Sequence, residues 1–179
     1  MEIAELLEPL EINFRCHTKT SLVDEEILLA LRKAGCNEIA FGLEVADDYV
    51  LKKIQKHETV EDQKRGVRLA KEAGLIVRLY MMVGLPFETW DTISNTKQFI
   101  SDNRKYIDKY TLSMLVPYPG TDIYDNPDKY LITWMERDYD MLLQFKEEAL
   151  IETEDCTQKE FTAHRRDLSR FLEKTLGGS

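Results

Sequence analysis

The chain has 179 residues, with 24 Lys and Arg against 33 Asp and Glu, for a formal net charge of −9. Apolar residues make up 43% and charged residues 32%, the balance of an ordinary globular chain and not of a disordered, collagenous or membrane protein. A pI near 4.9 excludes nucleic acid and anionic membrane as main partners, because both carry phosphate arrays that an acidic surface repels.

Four short runs read as strands, each followed by a helical pattern: residues 11–18 (EINFRCHT), 38–45 (EIAFGLEV), 75–84 (LIVRLYMMVG) and 110–116 (YTLSMLV). From Ile12 to Ile39, Val77 and Thr111 the steps are 27, 38 and 34 residues. That spacing fits strand–helix–strand units and is too long for hairpins. Asp24 caps a helix that carries Ile27, Leu28 and Leu31 on one face and stops at Gly35, with Val23 placed to staple onto Leu28. Val50, Leu51 and Ile54 mark a short helix. Thr59 with Asp62 opens a longer one that buries Val67, Ala70 and Ala73 and ends at Gly74. Thr89 caps the next, with Trp90, Ile93 and Ile100 inward. Prolines and glycine make residues 117–127 irregular. A helix is expected over residues 138–150. Another starts at the capping box Thr157–Glu160 and carries Phe161, Leu168, Phe171, Leu172 and Leu176. Residues 177–179 read as a terminal tail.

Cys16, Cys36 and Cys156 are odd in number and far apart, so no disulfide framework or metal-ligand spacing is implied, and each is expected to pack as a small apolar residue. No apolar run reaches the roughly 20 residues of a membrane helix. The start, Met1-Glu2-Ile3-Ala4-Glu5, is acidic, unlike a secretory leader. The expected location is the cytoplasm.

Alternating strands and helices specify a parallel α/β sheet. Each strand has one greasy and one polar or small side: Ile12, Phe14 and Cys16 against Asn13, Arg15 and His17; Ile39, Phe41, Leu43 and Val45 against Ala40, Gly42 and Glu44; Val77, Leu79, Met81 and Val83 against Arg78, Tyr80, Met82 and Gly84; Leu112 and Met114 against Thr111, Ser113 and Leu115. Helices on both faces of an open sheet would need both sides apolar. The alternation favours a piece of a TIM-like barrel with the polar side lining a hollow, over a doubly wound sheet.

Chemistry in such barrels sits at the carboxyl ends of the strands, here His17–Lys19, Gly42–Glu44, Gly84–Glu88 and Pro117–Thr121. Glu44 suits an ammonium or a ribose diol, or else pairs internally with Arg15 or Arg78. Arg78 suits a carboxylate, or the same internal salt bridge. His17 reads as an interior histidine, Lys19 as an exposed cation, and Glu88 as a first-turn acid favoured by the helix dipole. Gly84 permits close backbone approach or a tight turn.

Taken in order, FRCHTKTSLVDEEILLALRKAGCNEIAFGLEV, VLKKIQKHETVEDQKRGVRLAKEAGLIVRLYMMVGLPFET and TLSMLVPYPGTDIY resemble the later part of the radical S-adenosylmethionine (radical SAM) barrel. The likeness is to the branch of iron–sulfur oxidoreductases that often has a cobalamin-binding domain upstream and includes the anaerobic magnesium-protoporphyrin ester cyclase. It spans about residues 11–124. The resemblance implies a partial (β/α)6 barrel whose third to sixth units are residues 1–125, followed by a C-terminal helical extension, 126–179. It places Glu44 near the cofactor's amino or ribose groups and Arg78 near its methionyl carboxylate. Gly84, Leu85 and Pro86 would border the cofactor, and Leu115, Val116 and Pro117 the adenine. Phe87 stands where the family usually has the second glycine of GLPGE.

The family's CxxxCxxC, which holds a [4Fe–4S] cluster after the first strand, has no counterpart in this sequence. The expectation is therefore a fragment of an enzyme that cleaves S-adenosylmethionine reductively to a 5′-deoxyadenosyl radical for oxidoreductase-type chemistry on a small molecule. Alone it would be inactive and bind the cofactor weakly or not at all, with no catalytic or metal-ligating residue of its own. Two alternatives remain: a non-enzymatic half-barrel that associates with itself through its open edges, or another barrel enzyme, an aldolase or isomerase, using Lys19 and Glu44.

Overall fold

The computed structural model describes residues 2–142 and 147–177. After a short helix α1 (Glu2–Leu7), four parallel strands, β1 (Phe14–Thr18), β2 (Cys36–Glu44), β3 (Ile76–Val83) and β4 (Lys109–Met114), form one sheet in the order β1-β2-β3-β4. Between them lie α2 (Glu25–Lys33), α3 (Asp48–Lys53), α4 (Val60–Glu72) and α5 (Trp90–Asn103). Asp24, Asp47, Thr59 and Thr89 each accept a hydrogen bond from the N–H three residues on, so these helices begin where the capping side chains stand. Thr59 with Asp62 and Thr89 with Thr92 form reciprocal capping boxes.

A strand order that follows chain order, joined by right-handed crossovers, places every crossover helix on the same face of the sheet. Doubly wound sheets instead reverse their order at a switch point. The sheet is therefore an arc of a TIM-like barrel; among the described residues it does not close, and β1 and β4 each pair on one side only. The helix side holds the main core, including Leu28, Ile39, Phe41, Leu43, Val77, Leu79, Met81 and Ile100. Val23 and Leu28 share that core, as the staple requires. Gly66 is a contact point in α4: a Cβ there would stand 2.7 Å from the Thr20 Cβ, so only glycine lets the helix lie against the turn after β1.

The opposite side carries a polar layer near the strand starts. Glu38 Oε1 accepts from Arg78 Nε at 2.7 Å, Glu38 Oε2 accepts from Lys109 Nζ at 2.6 Å, and Arg15 pairs in register with Glu38. Burial alone would raise the Glu38 carboxyl, but the bonds from Lys109 and Arg78 outweigh it and hold the group below its usual range. The internal salt bridge of Arg78 thus exists, with Glu38 as partner in place of Glu44.

Beyond β4 the chain departs from the expected helices. A short helix α6 (Asp122–Asp125) follows, and then β5 (Ile132–Met135) pairs antiparallel with β6 (Ile151–Thr153). Of the helix expected over 138–150, residues 143–146 lie outside the described residues. The flanks show a single 3-10 turn at Tyr139–Met141 and non-helical backbone at Ala149 and Leu150. The segment 126–179 therefore contains a small sheet as well as its helix α7 (Gln158–Leu176), capped by the Thr157–Glu160 box. α7 packs on α5, β3 and β4. It buries Phe161, Leu168 and Leu172, while Phe171 and Leu176 are partly buried.

Other corrections are local. Trp90 is 49% exposed, because it opens α5 and lays its ring edge-on to His164 at 4.2 Å. Ile12 lies before β1, in the turn that Glu11 makes with φ 49°. No helix among the described residues is long and apolar enough to cross a membrane.

Candidate functional site

The strand ends gather at one rim, and two of them are bent out of regular geometry. In β2 the register slips between Gly42, opposite Tyr80, and Glu44, opposite Met81. Leu43 is the inserted residue, and the Val45 N–H returns to the Leu43 carbonyl at 2.8 Å, a three-residue turn centred on Glu44. Glu44 takes φ 61°, a left-handed conformation that strains any residue with a Cβ. Its carboxylate folds back beside Gly42: a Cβ there would meet Glu44 Oε1 at 2.8 Å. Lys56 Nζ donates to Glu44 Oε1 at 3.1 Å. Gln55 and His57, both at positive φ, bend the loop that delivers this lysine.

The bulge is clamped from the helix side. Gln63, fully buried in α4, donates from Nε2 to the carbonyls of Leu43 at 3.0 Å and Val45 at 3.1 Å. Glu58, buried beside it, accepts from Thr20 Oγ1 at 3.1 Å. Lys19 is not a free cation, because its Nζ donates to the Lys56 carbonyl at 3.0 Å. His17 is exposed on β1 and tilts against Tyr80 at 5.3 Å, so it is not an interior histidine.

At the end of β3, Gly84 turns at φ 82°, where a Cβ would stand 2.8 Å from Met114 Sδ. Leu85, Pro86 and Phe87 follow, all buried. Phe87 takes φ 67°, the left-handed conformation that glycine adopts without strain, and is held by an edge contact from Tyr49 and by Lys53 over its ring. The backbone shape thus persists here with a large side chain on it. Glu88 corrects the first-turn reading. It precedes the cap Thr89, is 1% exposed, and accepts from the Gly84 N–H through Oε2 at 3.1 Å. Its Oε1 lies 2.8 Å from His164 Nδ1 of α7, itself 1% exposed. Burial pushes the Glu88 carboxyl up, against the opposing pull of His164 and the N–H groups of Gly84 and Leu85.

After β4 the Leu115 N–H donates to the Val83 carbonyl at 2.8 Å and continues the ladder. Leu115 packs with Leu85, Phe87, Ile132 and Met135 in a second apolar cluster, and Val116 packs with Leu142 and Leu150. The segment after β4 therefore packs against the residues that follow β3 and β4. Of the residues named from sequence, Glu44, Gly84, Leu85, Pro86, Leu115, Val116 and Pro117 stand at this rim. Arg78 does not: it is paired with Lys109 at the opening of β4, five residues before Val83, or about 17 Å down the strand.

Sequence reasoning missed Glu38, Lys56, Gln63 and His164. Gln63 and His164 carried a signal, each being a polar residue at an apolar phase of its helix; the register that joins Glu38 to Arg78 and Lys109 left none.

The profile of the radical SAM superfamily matches residues 1–100. The chain belongs to the radical SAM superfamily. It is 32% identical over 103 residues to the anaerobic magnesium-protoporphyrin IX monomethyl ester cyclase of Rubrivivax gelatinosus, covering 58% of this chain and 18% of that protein. Its fold matches coproporphyrinogen III oxidase of Escherichia coli, a radical SAM enzyme, with a TM-score of 0.71 and 15% identity over 97% of this chain and 37% of that one. A radical SAM methyltransferase of Kitasatospora setae, solved with cobalamin and a [4Fe–4S] cluster, matches at TM-score 0.54 and 21% identity, over 65% of this chain and 25% of that one. The chain thus spans a small part of the relatives it matches.

Membership implies S-adenosylmethionine and a [4Fe–4S] cluster. For the first, the rim presents the Glu44 carboxylate, paired with Lys56, and the Gly84 backbone, while Leu85, Leu115 and Val116 are buried in the neighbouring apolar clusters. The cysteines do not fit the second. Cys16 and Cys36 adjoin the helix-side core, Cys156 lies before α7, and no group of three His, Cys, Asp or Glu able to hold a metal exists among the described residues.

Proposed function

We propose that this chain supplies the third to sixth strands of a radical SAM barrel, residues 1–125, and that residues 126–179 close its rim. The rim would hold the adenosyl portion of S-adenosylmethionine for an oxidoreductase-type enzyme acting on a small molecule in the cytoplasm. What supports this most is the left-handed backbone at Glu44 and Phe87, non-glycine residues at neighbouring strand ends, since strain of this kind gathers at ligand sites. Glu44 accepts from the cofactor's ammonium or ribose hydroxyls, and Lys56 balances its charge in the free state. Gly84 leaves room for close backbone approach. Leu85, Pro86, Leu115, Val116 and Pro117 form the apolar wall beside the adenine. Arg78 remains with Glu38 as a structural cation of the hollow.

When bound beside a reduced cluster, S-adenosylmethionine supplies the radical that takes hydrogen from substrate. The cluster ligands come from outside these 179 residues, so the chain alone is inactive in that reaction. A cobalamin-binding domain upstream belongs to the same proposal. In a cluster-bearing protein that contains this segment, Glu44→Ala should raise the Kd for S-adenosylmethionine at least about tenfold, the loss of one charge-assisted hydrogen bond. An unchanged Kd in calorimetry removes Glu44 from the site.

The two unpaired edges favour a second reading, self-association. A twofold axis along the strands would set β1 of one copy beside β4 of the other and keep every strand parallel. Light scattering should then report a dimer at micromolar concentration; a stable monomer rejects this arrangement.

A further inference from the structure

Gly84 follows the last residue of β3, and its N–H donates to Glu88 Oε2 at 3.1 Å. The other oxygen, Oε1, lies 2.8 Å from Nδ1 of His164, 76 residues further on in α7. Glu88 and His164 are each 1% exposed, so water does not compete for either. Trp90 and Phe161 close on the imidazole, at 4.2 Å and 6.1 Å between ring centroids and nearly perpendicular to it. The contact with Glu88 is the ring's one hydrogen bond among the described residues, because Nε2 is buried with no partner. A buried nitrogen left unpaired costs free energy that an apolar side chain at this position would not. The gain that offsets this cost lies in what the ring holds.

We propose that His164 is a positioning residue for the cofactor rim: through Glu88 it fixes the Gly84 N–H, and with it the turn from Gly84 to Phe87. Its role there rests on the reading of the rim as the adenosyl site. The turn contains two left-handed residues, Gly84 at φ 82° and Phe87 at φ 67°, and the second is strained by its Cβ. Tyr49 and Lys53 hold the Phe87 ring at the far end. At the near end Glu88 collects the N–H groups of Gly84 and Leu85. With an apolar residue at position 164 the carboxylate is one partner short in a dry site. It then turns toward water and releases both amides, and the turn opens. α7, which packs on α5, β3 and β4, presents His164 from the same buried side as Phe161, Leu168 and Leu172, so its docking is tied to the shape of the rim.

The test compares the 15N-labelled parent chain with His164→Leu and His164→Asn. The Asn carboxamide can face Glu88 with a donor or an acceptor, as Nδ1 does, but lacks the rest of the ring. Amide hydrogen exchange at Gly84 and Leu85 is read against Leu79 and Met81 inside β3, because global unfolding exposes all four alike. Relative to that pair, His164→Leu should speed exchange at Gly84 and Leu85 at least about tenfold, and His164→Asn should hold it within about threefold of the parent. With S-adenosylmethionine at about 10 mM, amide shifts at Gly84 and Leu85 should appear in the parent and in His164→Asn and be lost in His164→Leu. His164→Met, apolar and adaptable in shape, replaces the leucine variant if that one does not fold. Unchanged relative exchange at Gly84 in the apolar variants, or a loss in His164→Asn as large as in His164→Leu, overturns the proposal. Absence of shifts in the parent, with the exchange differences intact, overturns the reading of the rim and with it the positioning role, leaving a structural clamp.

Discussion

Gly35→Ala is expected to destabilise the chain by about 4 kcal/mol, the largest effect of any single methyl group added here. Gly35 follows the end of α2 at φ 98°, where alanine is strained by about 1–2 kcal/mol. The added Cβ would also stand 2.0 Å from the Ile12 carbonyl oxygen, and that atom belongs to backbone. The chain entering β1 must shift to make room, and with it the Phe14 N–H, which donates to the Gly35 carbonyl at 3.2 Å. Urea denaturation of the two proteins measures the difference. A loss below about 1 kcal/mol would mean that the approach of Ile12 to Gly35 is looser than described.

Glu88→Ala is expected to cost about 3 kcal/mol, because it orphans the buried Gly84 N–H and His164 Nδ1 together. Glu88→Gln separates charge from shape. Burial makes the folded chain hold the Glu88 proton more tightly than the unfolded chain does. The stability this group contributes is therefore complete below its ordinary value of 4.5 and is lost as pH climbs through the raised value. Thermal melts from pH 4 to pH 8 should show a decline in the parent that Glu88→Gln flattens. An identical pH profile in both would place the charge elsewhere.

What the sequence made legible follows from local rules. The caps at Asp24, Thr59, Thr89 and Thr157 and the alternation in β3 act within a few residues and stand in the structure, whereas in β2 Glu38 to Phe41 are all buried and the bulge at Leu43 breaks the alternation. Glu88 was misread because its partner His164 is 76 residues away, on a helix whose docking no local pattern specifies. Glu38, Arg78 and Lys109 meet only through strand register, and so do Cys16 and Cys36. β5 and β6, of four and three residues, are too short for periodicity to separate them from loop or helix. That Glu44 ends a strand is visible in sequence. The bulge that turns it, and the Gln63 amide that fixes the bulge, were not visible.

The claim on which the functional account rests is that the strand ends receive the adenosyl group even without the cluster. Titration of the 15N-labelled chain with S-adenosylmethionine up to about 10 mM, followed by amide shifts, examines it directly. The account predicts weak, saturable shifts confined to the amides of residues 42–45, 84, 85, 87, 88, 115 and 116. Shifts centred on another surface, or none at these amides across the range, would contradict it.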